Sequence, residues 1–258
     1  NRAYLSNSTA SQPVSASGEP WGDGSLASFF GRLNYNFNET YMASFTLRAD
    51  GSSNFAEGNR WGYFPSASVG WVLTNEEFMS GVTNVMNFFK IRGSWGQNGN
   101  CNIGNFKYSS TVAFDAKGQY SFNNDKDSAT QGGYANVMPN KDITWETSEQ
   151  LDLGIDARFL DSRLSVAFDY YIKTTKDLLI EAPILDIYGT GAPTVNGGDI
   201  ENKGIELGLG WNETRGEFTY GLNVNLATNK NEVVKINNDE GYILGAENVL
   251  SQGTRPCY

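Results

Sequence analysis

The 258-residue sequence contains no histidine and only two cysteines. Without His the chain lacks the commonest general base and the commonest transition-metal ligand, which leaves carboxylates, Lys, Tyr and two thiols for any chemistry. Nor is there an apolar run of about 18 residues, so no helix can span a bilayer. Positive charge is scarce: 19 Lys and Arg stand against 29 Asp and Glu, a net charge of −10 with a pI near 4.6. Phosphate-backbone binding needs clustered cations, so nucleic acid is not expected as a partner. No basic start followed by an apolar stretch opens the chain. Residues 1–28 are polar and rich in Ser and Gly, so if the protein is exported the sequence is expected to be a mature or internal segment.

What the chain does have favours strands: 29 Gly, 13% aromatic residues and abundant Asn, Ser and Thr. The fold class expected is all-β. Mean hydropathy is −0.43, which does not argue against a membrane barrel, because alternating strands dilute an averaged signal. From Ala27 the odd positions Ala27, Phe29, Gly31, Leu33, Tyr35 and Phe37 oppose Ser28, Phe30, Arg32, Asn34 and Asn36, a period of two with one face apolar and the other largely polar. The pattern restarts after Asn38 and Glu39 with Tyr41, Ala43, Phe45, Leu47 and Ala49, predicting a tight hairpin. Further segments follow over 65–73, 89–95, 151–159, 164–172, 205–211 and 218–226. About eight strands result. Leu33, Phe45, Val69, Leu153, Val166, Leu207 and Val224 sit mid-strand on the apolar parity, whereas Asn34, Ser44 and Asp156 lie on the polar one.

Two features favour a transmembrane antiparallel barrel over a soluble sandwich. Strands of about 11 residues at roughly 3.3 Å each, tilted by roughly 40°, cover about 28 Å, the thickness of a bilayer's hydrocarbon; soluble strands average about five or six residues. Connections are short at Asn38, Asp161 and Asn212–Glu217 but long at 51–61, 98–146 and 174–202, as on a two-sided barrel. The connection 75–86, with a helical turn at Glu76–Met79, breaks that rule. Aromatics near strand ends fit interfacial girdles or an ordinary core equally well. The alternative is a surface or soluble carbohydrate-binding β module with an exposed aromatic platform.

Three strings, Arg48-Ala-Asp-Gly-Ser-Ser-Asn-Phe55, Gly62-Tyr-Phe-Pro-Ser-Ala-Ser-Val-Gly-Trp71 and Lys90-Ile-Arg-Gly-Ser-Trp-Gly-Gln-Asn-Gly-Asn100, resemble blocks of SusC/RagA-like TonB-dependent outer-membrane transporters. Trp145-Glu-Thr-Ser-Glu-Gln150, Asp169-Tyr-Tyr-Ile-Lys-Thr-Thr-Lys-Asp-Leu-Leu179 and Asn202-Lys-Gly-Ile-Glu206 resemble later blocks in the same order. The resemblance runs from about Ser28 onward and implies part of a 22-stranded, plugged barrel. Residues 1–26 would then be a long extracellular loop, 27–229 strands and their loops, and 230–258 a further extracellular loop, all of one barrel domain without its plug. It also implies active nutrient import, of glycan oligosaccharides or peptides, across the outer membrane of a Gram-negative, Bacteroidetes-like bacterium. The implied partners are a SusD-like lipoprotein lid, the TonB complex acting through the plug region, and membrane lipid. Asn54 departs from the family, which often has a basic residue there, and Cys101 is unusual in its Gly-Asn loop.

No enzyme activity, cofactor or metal is expected. Asp152 and Asp156, with Glu146 and Glu149 nearby, are the best acid–base candidates, but solvation and cross-strand pairing with Arg158 or Lys173 is the simpler role. Asn123-Asn-Asp-Lys-Asp127 offers oxygen ligands without the spacing or bidentate Glu of a calcium loop. Gly189-Thr-Gly191 and Gly197-Gly198 precede no helix and are expected to be turns. Cys101 and Cys257 both fall in long-side connections, where a disulfide and two free thiols remain alternatives. The substrate-facing candidates are Trp61, Tyr63, Asn54, Tyr134, Asn124 and Asp125, since stacking rings and amide or carboxylate groups suit polar ligands.

Overall fold

The computed structural model describes residues 24–114, 119–120, 130–182, 184–237, 242–244 and 249–251. Eight long strands form one sheet: β1 (Leu26–Phe37), β2 (Tyr41–Ser52), β3 (Trp61–Val72), β4 (Met86–Asn100), β5 (Glu146–Phe159), β6 (Leu164–Lys176), β7 (Gly198–Arg215) and β8 (Phe218–Ile236). Their spatial order is their chain order, and each pairs antiparallel with the next. The sheet is therefore an uninterrupted meander, as the eight alternating segments predicted.

Register carries the alternation unbroken across the sheet. One row runs Phe37, Tyr41, Trp71, Ile91, Ile155, Phe168, Leu207, Leu226. The row beside it, on the opposite face, reads Asn36, Met42, Gly70, Arg92, Gly154, Asp169, Glu206, Ala227. Because side chains alternate with a period of two, a slip of one residue anywhere would mix the faces; none occurs over this stretch. The apolar face is open: Leu33 is 74% exposed and Val69 62%. A soluble sandwich would bury that face against a second sheet. Here the one cluster of buried apolar residues among those described, Phe55, Phe64, Ile143 and Trp145, lies at the loop end. No described helix is long and apolar enough to cross a membrane.

Aromatic residues bracket the apolar face. At one end Trp61 stacks on Phe29 (centroids 6.1 Å), and at the other Trp71 stacks on Tyr41 (6.2 Å). Trp61 and Trp71 are about ten residues apart on β3, which at ~3.3 Å per residue and a tilt of roughly 40° separates the girdles by about 25 Å, the height of a barrel's apolar band. Polar tips of these rings find carboxylates. Trp71 Nε1 (3.0 Å) and Tyr41 Oη (2.5 Å) both donate to Glu76 Oε1, Tyr220 Oη donates to Glu213 (2.6 Å), and Trp95 Nε1 donates to Glu149 (3.0 Å).

Several strands are longer than the apolar periodicity indicated: β4 runs to Asn100, β5 starts at Glu146, and β7 and β8 extend to Gly198 and Ile236. The reason is physical. Beyond the apolar band the outward positions turn polar, at Gln97, Glu149, Lys203 and Lys230, while backbone pairing continues. The turn sought at Asn212–Glu217 is a two-residue loop, Gly216-Glu217, with Gly216 at φ +63°, the left-handed geometry that tight hairpins require. Short connections at 38–40, 160–163 and 216–217 share one end of the sheet with 73–85, which holds the 3₁₀ turns Leu73–Asn75 and Glu77–Met79. That connection is longer than 53–60 on the opposite side, so the two-sidedness rests on 101–145 and 177–197.

Arg at Leu33, Phe45, Val69, Leu153, Val166, Leu207 or Val224 is expected to cost about 2–4 kcal/mol at the bilayer midplane and to reduce assembled protein, scored by heat-modifiable mobility; Arg at Asn34 or Ser44 should not. Equal sensitivity of both faces would contradict the assignment. A second expectation concerns acid. Hydrogen bonds from Tyr41 and then Trp71 hold the Glu76 carboxyl below its usual 4.5. A depressed carboxylate contributes its stabilisation above the unfolded value and loses it as pH falls through the folded one. The Trp71 fluorescence signal, isolated by difference from Trp71→Phe, should thus be flat from about pH 7 down to the usual 4.5 and step only below it. Glu76→Gln should remove the step.

Candidate lumenal wall and loop rim

On the polar face one guanidinium joins three strands. Arg92 of β4 meets Asp152 Oδ1 through Nη1 (3.2 Å), Asp156 Oδ2 through Nε (3.1 Å) and Asp169 Oδ1 through Nη2 (2.5 Å). To reach Asp169 on β6 the side chain must cross β5, and the residue it crosses is Gly154, its register partner. A Cβ there would stand 2.5 Å from Arg92 Cζ and 2.4 Å from Asp169 Oδ1. Glycine in this strand is explained by the close approach of a side chain. The arrangement corrects the pairing expected from sequence: Asp152 and Asp156 are bound by Arg92, whereas Arg158 lies over the Phe88 ring at 5.1 Å. Sequence reasoning missed Arg92 because its partners Asp152, Asp156 and Asp169 are far from it in the chain, on two other strands; its polar parity opposite mid-strand carboxylates was the available signal.

The rest of the face is hydroxyls, amides and glycines. Ser44 and Ser68 hydroxyls are 2.7 Å apart, and Arg32 Nε donates to Thr46 (3.0 Å). Two open concavities follow the sheet's curvature, one of about 400 Å³ around Asn34, Ser68, Lys90 and Arg92, the other of about 500 Å³ over Ala167, Gly208 and Gly210. These groups suit hydrogen bonding to a polar solute or a polar protein surface. For acid–base chemistry they are poorly disposed. Glu146 accepts from Asn100 and Leu179 N–H, and Glu149 from Trp95, Gln97 and Lys176. Among the described residues no group of His, Cys, Asp and Glu is arranged to hold a metal ion.

Above the sheet the long connections interlock. Phe55 and Ile143 are fully buried, Trp145 lies tilted on Phe55 (5.2 Å) and edge-on to Phe64 (5.5 Å), and Trp145 Nε1 donates to Arg60 carbonyl (3.0 Å). Phe64 fits because Gly62 and Gly99 leave no side chain in its way. Asn196 accepts from Thr144 N–H and donates to the Thr144 and Asp177 carbonyls. Gly191 N–H donates to Asn136 carbonyl while its own carbonyl accepts from Met138 N–H, tying 177–197 to 101–145. Gly189 turns at φ +60°.

The substrate-facing candidates separate on this geometry. Trp61 and Tyr63 are not in a loop: they open β3 on the apolar, outward parity, opposite Gly51 and Ala49. Asn54 is half-buried, its amide donating to the Cys101 (3.0 Å) and Ile103 (3.3 Å) carbonyls, so it braces one loop against another. Tyr134 starts a short strand, Tyr134–Val137, paired with Thr111–Ala113 inside the longest connection. Asn124 and Asp125 lie outside the described residues, as does the Asn123–Asp127 string. The Cys101 thiol is free and packs beside the loop core; Cys257 falls outside the described residues.

A family model for "TonB dependent receptor-like, beta-barrel" matches residues 2–254. The chain is 37% identical over 216 residues to TonB-dependent receptor P3 of Formosa agariphila, covering 82% of this chain and 20% of that protein. It is 34% identical over 238 residues to TonB-dependent receptor SusC of Bacteroides thetaiotaomicron, covering 88% and 23%. Among solved structures it resembles a chain of the RagAB peptide importer in its closed-closed state, with a TM-score of 0.77, 26% identity and coverage of 88% and 24%. The chain thus spans about a fifth to a quarter of the relatives it matches.

Gly154→Ala is expected to push Arg92 off Asp169 and to destabilise the assembled barrel by about 1–3 kcal/mol, the usual cost of overpacking. Combined with Asp169→Asn the losses should be clearly less than additive in urea titrations, since both remove one contact. Full additivity would mean that Gly154 serves no contact of Arg92.

Proposed function

The chain belongs to the TonB dependent receptor-like β-barrel family, SusC-like branch, and from that we propose that it forms part of the wall of an outer-membrane importer of oligosaccharides or peptides. The observation that carries this reading is the eight-strand meander whose outward face is an apolar band between two aromatic girdles and whose inward face is polar. Such a wall separates hydrocarbon from a hydrated path. Hydroxyls, amides and the Arg92 fan fit a solute rich in hydrogen-bonding groups; the relative named a peptide importer supports peptides, and the resemblance to the SusC family keeps oligosaccharides beside them. In this reading energy comes from the TonB complex through a plug outside this chain, and a SusD-like lipoprotein rests on the interlocked long loops of a Gram-negative outer membrane.

Tyr134, Asn124 and Asp125 remain the proposed solute contacts, on the long-loop side. Trp61 and Tyr63 are proposed instead for the outward interface, a reading supported by the stacking of Trp61 on Phe29 and the pairing of Tyr63 with Ala49 on the apolar parity. Uptake of labelled oligosaccharides and peptides by cells with and without the gene tests the function; import that persists without TonB energy would overturn it. The orientation has its own check. A protease site at Gly191 should be cut on intact cells, and one at Asp161 should be protected. The reverse pattern would place the long loops in the periplasm.

A further inference from the structure

Three carboxylates receive the polar tips of girdle aromatics, and they differ in one respect. Glu213 is met by Arg215 (3.0 Å) and Arg163 (3.7 Å), and Glu149 by Lys176 (2.5 Å). Glu76 has no cation beside it among the described residues: its Oε1 takes both hydrogen bonds, from Tyr41 and Trp71, which leaves Oε2 unengaged. The connection that holds it, 73–85, contains Glu76 and Glu77 and neither Lys nor Arg. It also exposes Phe78, Val82 and Val85, apolar side chains that suit an interfacial position. Next to the carboxylate, the Tyr41 and Trp71 rings lie nearly parallel, at 13°, and present aromatic faces to which an ammonium group is drawn.

A furrow of about 520 Å³ leads from this point along the outward face. Its floor is Ala43, Val69 and Gly93, closed at the two ends of that row by Tyr35 and Leu153 and lying between rows that carry Phe45 and Trp95 on one side and Tyr41 and Trp71 on the other. At Gly93 an added Cβ would come within 3.3 Å of Leu153 Cδ2, so the depression depends on the missing side chain.

The geometry points to a binding site for a phospholipid with a primary ammonium headgroup, held by Glu76 and the Tyr41–Trp71 pair, with an acyl chain in the furrow over Ala43, Val69 and Gly93. This rests on the reading of that face as lipid-facing. Charge selects the headgroup: two carboxylates without a local cation repel a lipid of net negative charge and attract an ammonium. The girdle row of Tyr41 and Trp71 flanks the furrow, so head and tail are recognised by adjoining parts of one surface.

The test is lipid retention by the full-length protein in native mass spectrometry, titrated with phosphatidylethanolamine or phosphatidylglycerol. Several-fold preference for phosphatidylethanolamine is expected. Glu76→Gln, which keeps an acceptor oxygen for Tyr41 and Trp71, should erase the preference, and Ala43→Leu, an apolar filling of the furrow, should lower retention of both lipids. Equal retention by the native protein, or a preference untouched by Glu76→Gln, would overturn the site. A spin label at Val69 keeps the two readings apart. Quenching there by a lipid-soluble reagent shows the face to be lipid-facing whatever the headgroup result, and protection from that reagent sinks the underlying reading instead.

Discussion

Everything in this structure depends on one requirement: within hydrocarbon, each backbone N–H and C=O must be paired by another strand, since no water is present to do it. Among the described residues the meander meets it for β2 through β7, with neighbours that are always consecutive in the chain, while β1 and β8 each pair along one edge. Once the ladders are complete, side-chain parity alone decides what each face meets, and parity cannot be adjusted locally. The unbroken rows from β1 to β8 follow from this. So does the absence of a core beneath the sheet among the described residues: the outward face is apolar enough to meet lipid and the inward face polar enough to meet water or a polar protein surface, so the sheet needs no second apolar layer of its own.

The polar atoms that such a wall must carry are handled differently on its two faces. Outward-facing indoles and phenols sit where the band ends, so that Trp71, Tyr41, Trp95 and Tyr220 keep rings in the apolar zone and tips on carboxylates at its border. On the inward face, charge is allowed mid-strand, and Arg92 uses it as a brace across β4, β5 and β6. Partly exposed pairs of this kind contribute little each. A single planar guanidinium with three partners loses its side-chain freedom once for three contacts, which is where the arrangement gains over isolated pairs.

What the sequence made legible is what alternation encodes. The existence, order and facing of all eight strands could be read from segments such as 27–37 and 41–50, because period two is directly visible. Strand ends could not be read where outward positions become polar, as at Gln97 and Lys203, since the backbone continues pairing after the apolar signal stops. Trp61 and Tyr63 were legible as exposed aromatics but not as outward-facing ones, because their strand starts before the alternation becomes regular at Pro65. The role of Asn54 was hidden for another reason: its partners, the carbonyls of Cys101 and Ile103, are backbone atoms nearly 50 residues away, and no side-chain pattern announces them.

The long connections bear on how docking would work in the proposed function. Loops of this length are usually assumed to adapt to what they bind, yet here described residues of 53–60, 101–145 and 177–197 share a buried aromatic core and several amide-to-carbonyl bonds. Phe55 and Ile143 are as inaccessible as residues in the middle of a soluble domain, and Trp145 is fixed through its ring faces and its N–H at once. Fixing the described parts of these segments costs conformational entropy during folding, so a solute or lid of the kind proposed above would not bear that cost again there. A rim built this way favours shape-specific docking over accommodation. It also confines loop-driven adaptation to stretches that do not contribute to the Phe55–Phe64–Ile143–Trp145 core.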